Sequence, residues 1–155
     1  KIMMPVEQIK AADNIDEYFR AYFQKNHLDF PKKEVRRLVK DSRPLIQILK
    51  YYYNRPRPEQ VANAMSLKFH NEPLESAKTP AYPSGHSIQG VLVGKYLAAM
   101  YPEHANELMG LADDISKSRL AANVHYPTDS IFGEKIALAL YLYMRNTASL
   151  GMEKI

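Results

Sequence analysis

The sequence predicts an all-α fold, a single-domain bundle of about six to seven helices over residues 1–155. Apolar residues recur at three- and four-residue spacing almost throughout the chain, which places them on one face of a helix. No stretch shows the alternation of apolar and polar residues that is typical of a half-buried strand. The length of 155 residues and the 46% hydrophobic content suit one ordinary domain with a single core. We therefore expect neither an internal repeat nor a linker.

The first predicted helix runs from Val6 to Asn26, because apolar side chains form one stripe along it. The members of the stripe are Ile15, Tyr18, Phe19, Tyr22 and Phe23. Two short helices are predicted to begin at Pro31 and Pro44, since proline is favoured in the first turn of a helix. The second of them carries Lys50 near its end.

Prolines and a glycine punctuate the rest of the chain. Pro56 and Pro58 stop helical hydrogen bonding, so Arg57 is expected on an extended turn. The turn of residues 83–86 opens the most hydrophobic helix, with Ser84 as its cap. The remaining predicted helices span Glu59 to Phe69, His104 to Asn123, and Pro127 to Asn146.

Composition excludes several kinds of chemistry. The chain has no cysteine, which excludes disulfides, thiolate nucleophiles and zinc sites with cysteine ligands. The net charge of +4 favours anionic ligands without indicating nucleic acid. The most apolar stretches, residues 88–100 and 131–144, contain charged residues and are too short to span a membrane. A soluble protein is expected, in the cytoplasm or, after removal of a targeting peptide, in the periplasm or outside the cell.

Three polar segments supply the residues from which an oxyanion site is built. The cations Lys50, Arg57 and Arg119 suit phosphate oxygens, because arginine offers paired planar donors and lysine a compact charge. Pro83-Ser84-Gly85-His86, at a helix start, directs free backbone N–H groups and the positive end of the helix dipole at an anion. The alternative for this tetrapeptide is an ordinary capped helix start.

His125 and Asp129 are four residues apart, a spacing that also suits two metal ligands on one helix face. Pro127 weakens that interpretation, because it begins a helix and leaves His125 just ahead of it. Asp129 then lies in the first turn, where its carboxylate can hold the Nδ1–H group of the imidazole. The Nε2 atom is left free as a nucleophile, by the logic of a hydrolase triad. A purely structural His–Asp pair is the alternative.

Taken in order, the three segments resemble the signature of the type 2 phosphatidic acid phosphatase superfamily, which includes class A nonspecific acid phosphatases and vanadium-dependent haloperoxidases. The signature reads Lys-x6-Arg-Pro, Pro-Ser-Gly-His and Ser-Arg-x5-His-x3-Asp, and it covers residues 50–129. The resemblance implies a helical bundle like that of the acid phosphatases and haloperoxidases. It implies that His125 attacks phosphorus and forms a phosphohistidine, that Asp129 orients it, and that His86 protonates the leaving oxygen and later activates water. The phosphate-holding positions that it implies are Lys50, Arg57, Ser84, Gly85 and Arg119.

Within the superfamily, the chain looks most similar to the soluble acid phosphatases, through residues 79–86 and the doubled Arg-Pro. The resemblance implies a small phosphorylated substrate, no metal or other required cofactor, and a site that phosphate or vanadate can occupy. Lipid phosphatases of the superfamily usually span the membrane several times, whereas the apolar stretches of this chain predict no span. We expect no nucleic-acid partner, and a homo-oligomer stays open. Arg55, which also precedes a proline, is either an auxiliary residue or unrelated to the site.

Three other functions stay open at this stage. The same oxyanion site can hold vanadate and oxidise halide, although nothing in the sequence marks a peroxide or halide pocket. A non-enzymatic basic module would bind nucleic acid or an acidic partner through residues 32–43, with charge as its only support. A metal-dependent phosphohydrolase has no adjacent His-Asp pair to fit its arrangement. Its ligands would be His86, Asp113, Asp114, His125 and Asp129.

Overall fold

The computed structural model describes residues 2–147, so Lys1 and residues 148–155 of the predicted domain lie outside the described part. Within residues 2–147 every regular element is helical, which confirms the all-α prediction. The elements are α1 Val6–Asp13, α2 Ile15–Lys25, α3 Lys32–Tyr53, α4 Pro58–Ala64, α5 Gly85–Met100, a 3-10 turn Pro102–His104, α6 Ala105–Ala121 and α7 Pro127–Asn146.

Helix α5 is the centre of the fold. It is apolar on all sides and packs against α6, α7 and α3. A Cβ atom at Gly94 would lie 3.0 Å from the Cβ atom of Ala112, so the glycine lets α5 and α6 approach closely. Because a helix that is hydrophobic all round must be buried, α5 is held from every side. Its first turn, which carries Gly85 and His86, is therefore fixed by the core.

The predicted first helix is wrong in one respect, because it is two helices separated at Asn14. This residue is extended, with φ −102° and ψ 102°, and its side-chain oxygen accepts a hydrogen bond from the N–H group of Glu17 at 3.4 Å. Asparagine is a favoured N-cap, and here it starts a new helix in mid-stripe. The stripe itself is confirmed, since Phe19 and Phe23 are fully buried. The break leaves Asp13 at the end of α1, close to the site described below.

The prediction of a separate helix beginning at Pro44 is also wrong. Pro44 lies inside α3, which continues from Lys32 to Tyr53. A proline inside a helix leaves the carbonyl four residues earlier without its N–H partner, and here both Pro44 and Lys40 are on the exposed side. One turn before the proline, the hydroxyl of Ser42 and the amide of Gln89 donate to the carbonyl of Val39 at 2.8 and 3.1 Å. Since the turn around Pro44 is exposed, the helix tolerates the proline there.

The later boundaries follow the predictions more closely. Helix α7 has the predicted bounds, and α6 is shorter than predicted by one residue at its start and two at its end. Helix α4 ends at Ala64, five residues before the predicted Phe69, since Ser66 adopts a left-handed φ of 55° and the N–H group of Leu67 turns back to the carbonyl of Ala62. None of the described helices combines the length and the apolar content that crossing a bilayer requires.

Candidate active site

A cavity of about 220 Å³ lies at the N-terminus of α5. Six of the residues singled out in the sequence line it, although they lie far apart along the chain. They are Lys50, Arg57, Gly85, His86, Arg119 and His125. The fold therefore assembles the three polar segments around one small chamber.

His125 and Asp129 form a buried pair at one side of the cavity. The Nδ1 atom of His125 lies 3.0 Å from Oδ2 of Asp129, and both side chains are almost fully buried. Oδ2 also accepts a hydrogen bond from the backbone N–H group of Tyr126 at 2.8 Å. Pro127 is the first residue of α7, so His125 precedes the helix and Asp129 lies in its first turn, which is the geometry expected from the sequence. The carboxylate fixes the plane of the imidazole.

The partners of His125 also define its tautomer. An ionised carboxylate only accepts hydrogen bonds and a guanidinium only donates them. Because Nδ1 faces Asp129 and Nε2 lies 2.8 Å from Nη1 of Arg57, the proton is on Nδ1 and the lone pair is on Nε2. Burial, and then the charge of Arg57, lowers the pKa of His125 well below its ordinary value, so the ring is neutral. A neutral imidazole with its lone pair in the cavity has the form of a nucleophile.

Arg57 and Lys50 are held by backbone carbonyl groups, two in the loop before α5 and one in the loop between α6 and α7. Arg57 donates to the carbonyls of Thr79 and Val124 at 2.7 and 2.8 Å, and Lys50 donates to that of Pro80 at 2.7 Å. Burial, with the neighbouring arginines, lowers the pKa of Arg57 to about 10 and that of Lys50 to about 7. Arg57 thus stays charged at neutral pH. Lys50 is only partly protonated near neutral pH, and a bound anion would favour its protonated, charged form.

Arg119 is fully buried at the end of α6. Its Nη1 atom donates to Oδ1 of Asp13 at 2.8 Å and its Nη2 atom donates to the hydroxyl of Ser76 at 3.0 Å. Among the residues that the structure describes, none accepts a hydrogen bond from Nε of Arg119. Burying a charged donor without an acceptor is costly. This N–H group therefore lies without a partner in a side chain that lines the cavity.

His86 occupies the first turn of α5 and is largely buried. Its Nε2 atom lies 2.7 Å from the backbone carbonyl of Asp13 and 3.3 Å from the carboxylate Oδ1 of the same residue. Since a carbonyl only accepts, the Nε2 atom carries a proton. Burial, and then the charge of Arg119, lowers the pKa of His86, while Asp13 acts in the opposite direction.

Sequence reasoning missed Asp13. Its carboxylate also accepts from Ser76, so one aspartate binds His86, Arg119 and Ser76. Burial alone would raise the pKa of Asp13, but the hydrogen bonds from His86 and Ser76 and the charge of Arg119 keep it well below its ordinary value. The signal in the sequence was Asp13-Asn14, a pair favoured at helix ends that interrupts an otherwise regular helical pattern.

Ser84 and Gly85 have different positions relative to the cavity. Ser84 is the N-cap of α5: its hydroxyl accepts from the N–H group of Ser87 at 3.2 Å and its own N–H group donates to the carbonyl of Asp129 at 3.0 Å. It does not line the cavity, so its backbone ties α5 to α7 rather than facing a ligand. Gly85 does line the cavity, and a Cβ atom there would lie 3.3 Å from the Cγ2 atom of Ile46. The glycine keeps α5 close to α3.

Arg55 is not an unrelated residue. Its Nη1 atom donates to Oδ1 of Asp129 and to the hydroxyl of Thr128, both at 2.7 Å. Its guanidinium carbon lies 4.1 Å from the centre of the Tyr82 ring, which stacks on Phe132. Burial raises the pKa of Asp129, and the bonds from Tyr126 and Arg55 oppose that rise. Arg55 thus completes the set of donors around the carboxylate that holds His125.

The five side chains proposed as ligands in a metal-dependent enzyme do not form one cluster, because Asp113 and Asp114 bind other partners. Asp113 pairs with Lys117 at 2.6 Å, and Asp114 accepts a hydrogen bond from Tyr18 at 3.1 Å. Across residues 2–147, no group of three or more His, Asp or Glu side chains is arranged to hold a metal ion.

Comparison with known proteins is consistent with this geometry. An 80-residue segment, 52% of this chain, is 32% identical to the non-specific acid phosphatase of Salmonella typhimurium and covers 32% of that protein, so the chain spans about a third of the length of this curated relative. The crystal structure of the first transmembrane PAP2 type phosphatidylglycerolphosphate phosphatase, from Bacillus subtilis, matches with a TM-score of 0.63 and 18% identity over 99% of this chain and 80% of that one, which shows the fold. Residues 42–149, most of the chain and all of the signature, match the family model of the PAP2 superfamily. The chain belongs to the PAP2 superfamily.

Proposed function

We propose that this protein is a phosphatase that hydrolyses small phosphomonoesters through a phosphohistidine at His125, without a metal ion. Membership of the PAP2 superfamily and similarity to a non-specific acid phosphatase support the reaction class. The cavity supports the mechanism, because it combines a neutral imidazole, a second histidine and three cations. In this reaction arginine and lysine side chains stabilise the phosphate charge in place of a metal ion.

The observation that carries this proposal is that three cations, Lys50, Arg57 and Arg119, line the same small cavity as both histidines. Arg119 is fully buried, and the described residues offer its Nε group no acceptor. A phosphate group can accept hydrogen bonds from all three cations together, since it offers several oxygens in different directions. The phosphoryl group therefore lies between these side chains, with the start of α5 at Gly85 beneath it.

The first half of the reaction begins when Arg57 turns from Nε2 of His125 to a phosphate oxygen. The freed lone pair of Nε2 attacks phosphorus, so that an N–P bond forms while the P–O bond to the leaving group breaks. His86 in its protonated form passes a proton to the leaving oxygen, which departs as an alcohol. Asp129 holds Nδ1–H throughout and stabilises the positive charge that develops on the ring.

In the second half, His86 takes a proton from a water molecule that attacks the phosphohistidine. The N–P bond breaks, inorganic phosphate leaves and His125 returns to its neutral form. His86 must be protonated for the first half, although burial and Arg119 lower its pKa in the empty site. A phosphate dianion in the cavity favours the protonated ring, so that substrate binding itself supplies the working form.

The test is to trap the phosphoryl enzyme. Wild-type protein quenched during turnover of a radiolabelled phosphomonoester should carry an acid-labile, base-stable label, which is the stability of a phosphohistidine. His125→Ala should lose both label and turnover, whereas the control His70→Ala, which alters an exposed histidine outside the cavity, should keep both. Turnover should persist in excess chelator. Near-native turnover in His125→Ala, or activity that chelator removes, would show that the mechanism is wrong.

A further inference from the structure

A second and larger cavity, of about 660 Å³, opens next to the phosphate cavity. The two share His86, Ser76, Arg43 and Gln89 as lining residues. His86 is the proposed donor of a proton to the leaving oxygen, so the rest of the leaving group must lie on the side of the phosphate that His86 faces. The larger cavity is therefore the place for the leaving group.

One wall of this cavity is a basic stripe on α3. Arg36, Lys40 and Arg43 line it, at spacings of four and three residues that keep them on one helix face. The same face continues through Gln47 to Lys50 in the phosphate cavity. Arg43 and Lys40 lie about 10 and 15 Å along the helix axis from Lys50, at about 1.5 Å per residue. This geometry suits a group that begins at the scissile phosphate and extends along α3.

The acidic residues of the cavity are already occupied by other partners. Asp16 pairs with Arg36 at 3.2 Å, and the carboxylate of Asp13 is bound to Arg119 and His86. Lys40 and Arg43 make no ion pair with any residue in the described range 2–147, and both are exposed. The mouth of the cavity therefore carries the positive charges of Lys40 and Arg43, which no carboxylate of the described residues neutralises.

We propose that this cavity is a subsite for a second phosphate on the leaving group, bound by Arg43 and Lys40, so that the preferred substrates are bisphosphates. The proposal rests on the proposed function, because it places the leaving group by the role of His86. It also gives a use to two members of the basic segment of residues 32–43, neither of which belongs to the signature. The two cations favour a phosphate through charge and through paired arginine donors.

The experiment compares butyl phosphate with the butanediol ester that carries a phosphate at each end. Their leaving groups have similar reactivity and differ in the second phosphate. The wild type should show a kcat/KM roughly tenfold higher for the bisphosphate at low ionic strength, after correction for its two equivalent esters, and the preference should shrink with added salt. Activity on p-nitrophenyl phosphate, measured alongside, reports the proposed function separately.

Lys40→Gln should reduce the preference several-fold and leave kcat for butyl phosphate unchanged, because Lys40 lines only the larger cavity. Arg43→Gln should also reduce the preference several-fold. The matched control is Arg37→Gln, which removes the same charge from the same helix at a position that lines neither cavity. An equal loss in Arg37→Gln, or no preference in the wild type while butyl phosphate is hydrolysed, would overturn the subsite and leave the phosphatase standing. Failure to hydrolyse any of the three esters would overturn both proposals.

Discussion

The site contains two His–Asp pairs that are built in opposite ways. His125 and Asp129 are four residues apart and meet through a single local turn ahead of α7. His86 and Asp13 are 73 residues apart and meet because α1 ends beside the start of α5. Asp129 binds the ring through its carboxylate at 3.0 Å, whereas the closest contact of Asp13, at 2.7 Å, is through its backbone carbonyl.

This difference suits two different tasks. A nucleophile must stay neutral and keep its lone pair on Nε2, and the local pair does this with one fixed carboxylate. A proton donor must gain and lose a proton in each cycle, so a strongly bound carboxylate on its ring would hold the proton too well. The carboxylate of Asp13 binds Arg119 and Ser76 as well as His86. We therefore expect it to raise the pKa of His86 less than a carboxylate bound to His86 alone would. The four variants below separate these roles.

Asp129→Asn should have the largest effect, with kcat lower by about ten-thousandfold, as expected when the orienting carboxylate of a triad becomes an amide. Oδ1 accepts from Arg55 and Oδ2 accepts from His125 and Tyr126, so an NH₂ group in either place faces a donor. The control is Asp113→Asn, which alters an exposed aspartate paired with Lys117. Steady-state kinetics of both variants measure the effect, and a loss below about threefold would contradict the orienting role.

His86→Ala should lower kcat/KM about a hundredfold for butyl phosphate and far less for p-nitrophenyl phosphate. An alkoxide leaves slowly without a proton, whereas p-nitrophenolate leaves readily as an anion. The ratio kcat/KM is the right measure, because it covers the steps up to departure of the leaving group and omits the later attack by water. Equal losses on the two esters would show that His86 holds phosphate and donates no proton.

The local pair could be predicted from the sequence, and the distant pair could not. Pro127 alone places His125 before a helix and Asp129 in its first turn, because proline restricts its own backbone and that of its neighbour. The contact of His86 with Asp13 depends on how α1 packs, which helical periodicity does not report. The same limit explains Arg55, whose partner lies 74 residues away. Local rules also failed at Pro44, since an exposed turn of α3 tolerates a proline in mid-helix.

The difference between the pairs is tested most directly by Asp13→Asn. This variant removes a negative charge that favours protonated His86, so the pKa of His86 should fall. The proton donor is then lost at lower pH, and the alkaline limb of the kcat/KM profile should move toward acid, with a rate at neutral pH lower by roughly tenfold. Asp16→Asn, which removes a charge from the same cavity wall without touching His86, is the control.

The position of the alkaline limb of the kcat/KM profile shows whether Asp13 acts on the pKa of His86 or has a purely structural role. Arg119 also loses its carboxylate partner in Asp13→Asn, so thermal unfolding of the variant must be measured to show that it is folded at the assay temperature. A folded variant with a slower rate and an unmoved alkaline limb would mean that Asp13 serves Arg119 alone.

Arg55→Gln should have the smallest effect, a loss of about fivefold in kcat, because Arg55 acts on the nucleophile only through Asp129. Arg55 opposes the rise that burial causes in the pKa of Asp129, so its removal should raise that pKa further. Asp129 must be ionised to accept from Nδ1–H, and the acid limb of the kcat profile should therefore move toward neutral pH. Arg55→Lys should restore the limb in part, since lysine supplies the charge without the planar stacking on Tyr82. A shift of the alkaline limb instead would assign Arg55 to the proton donor, and the two pairs would then be coupled.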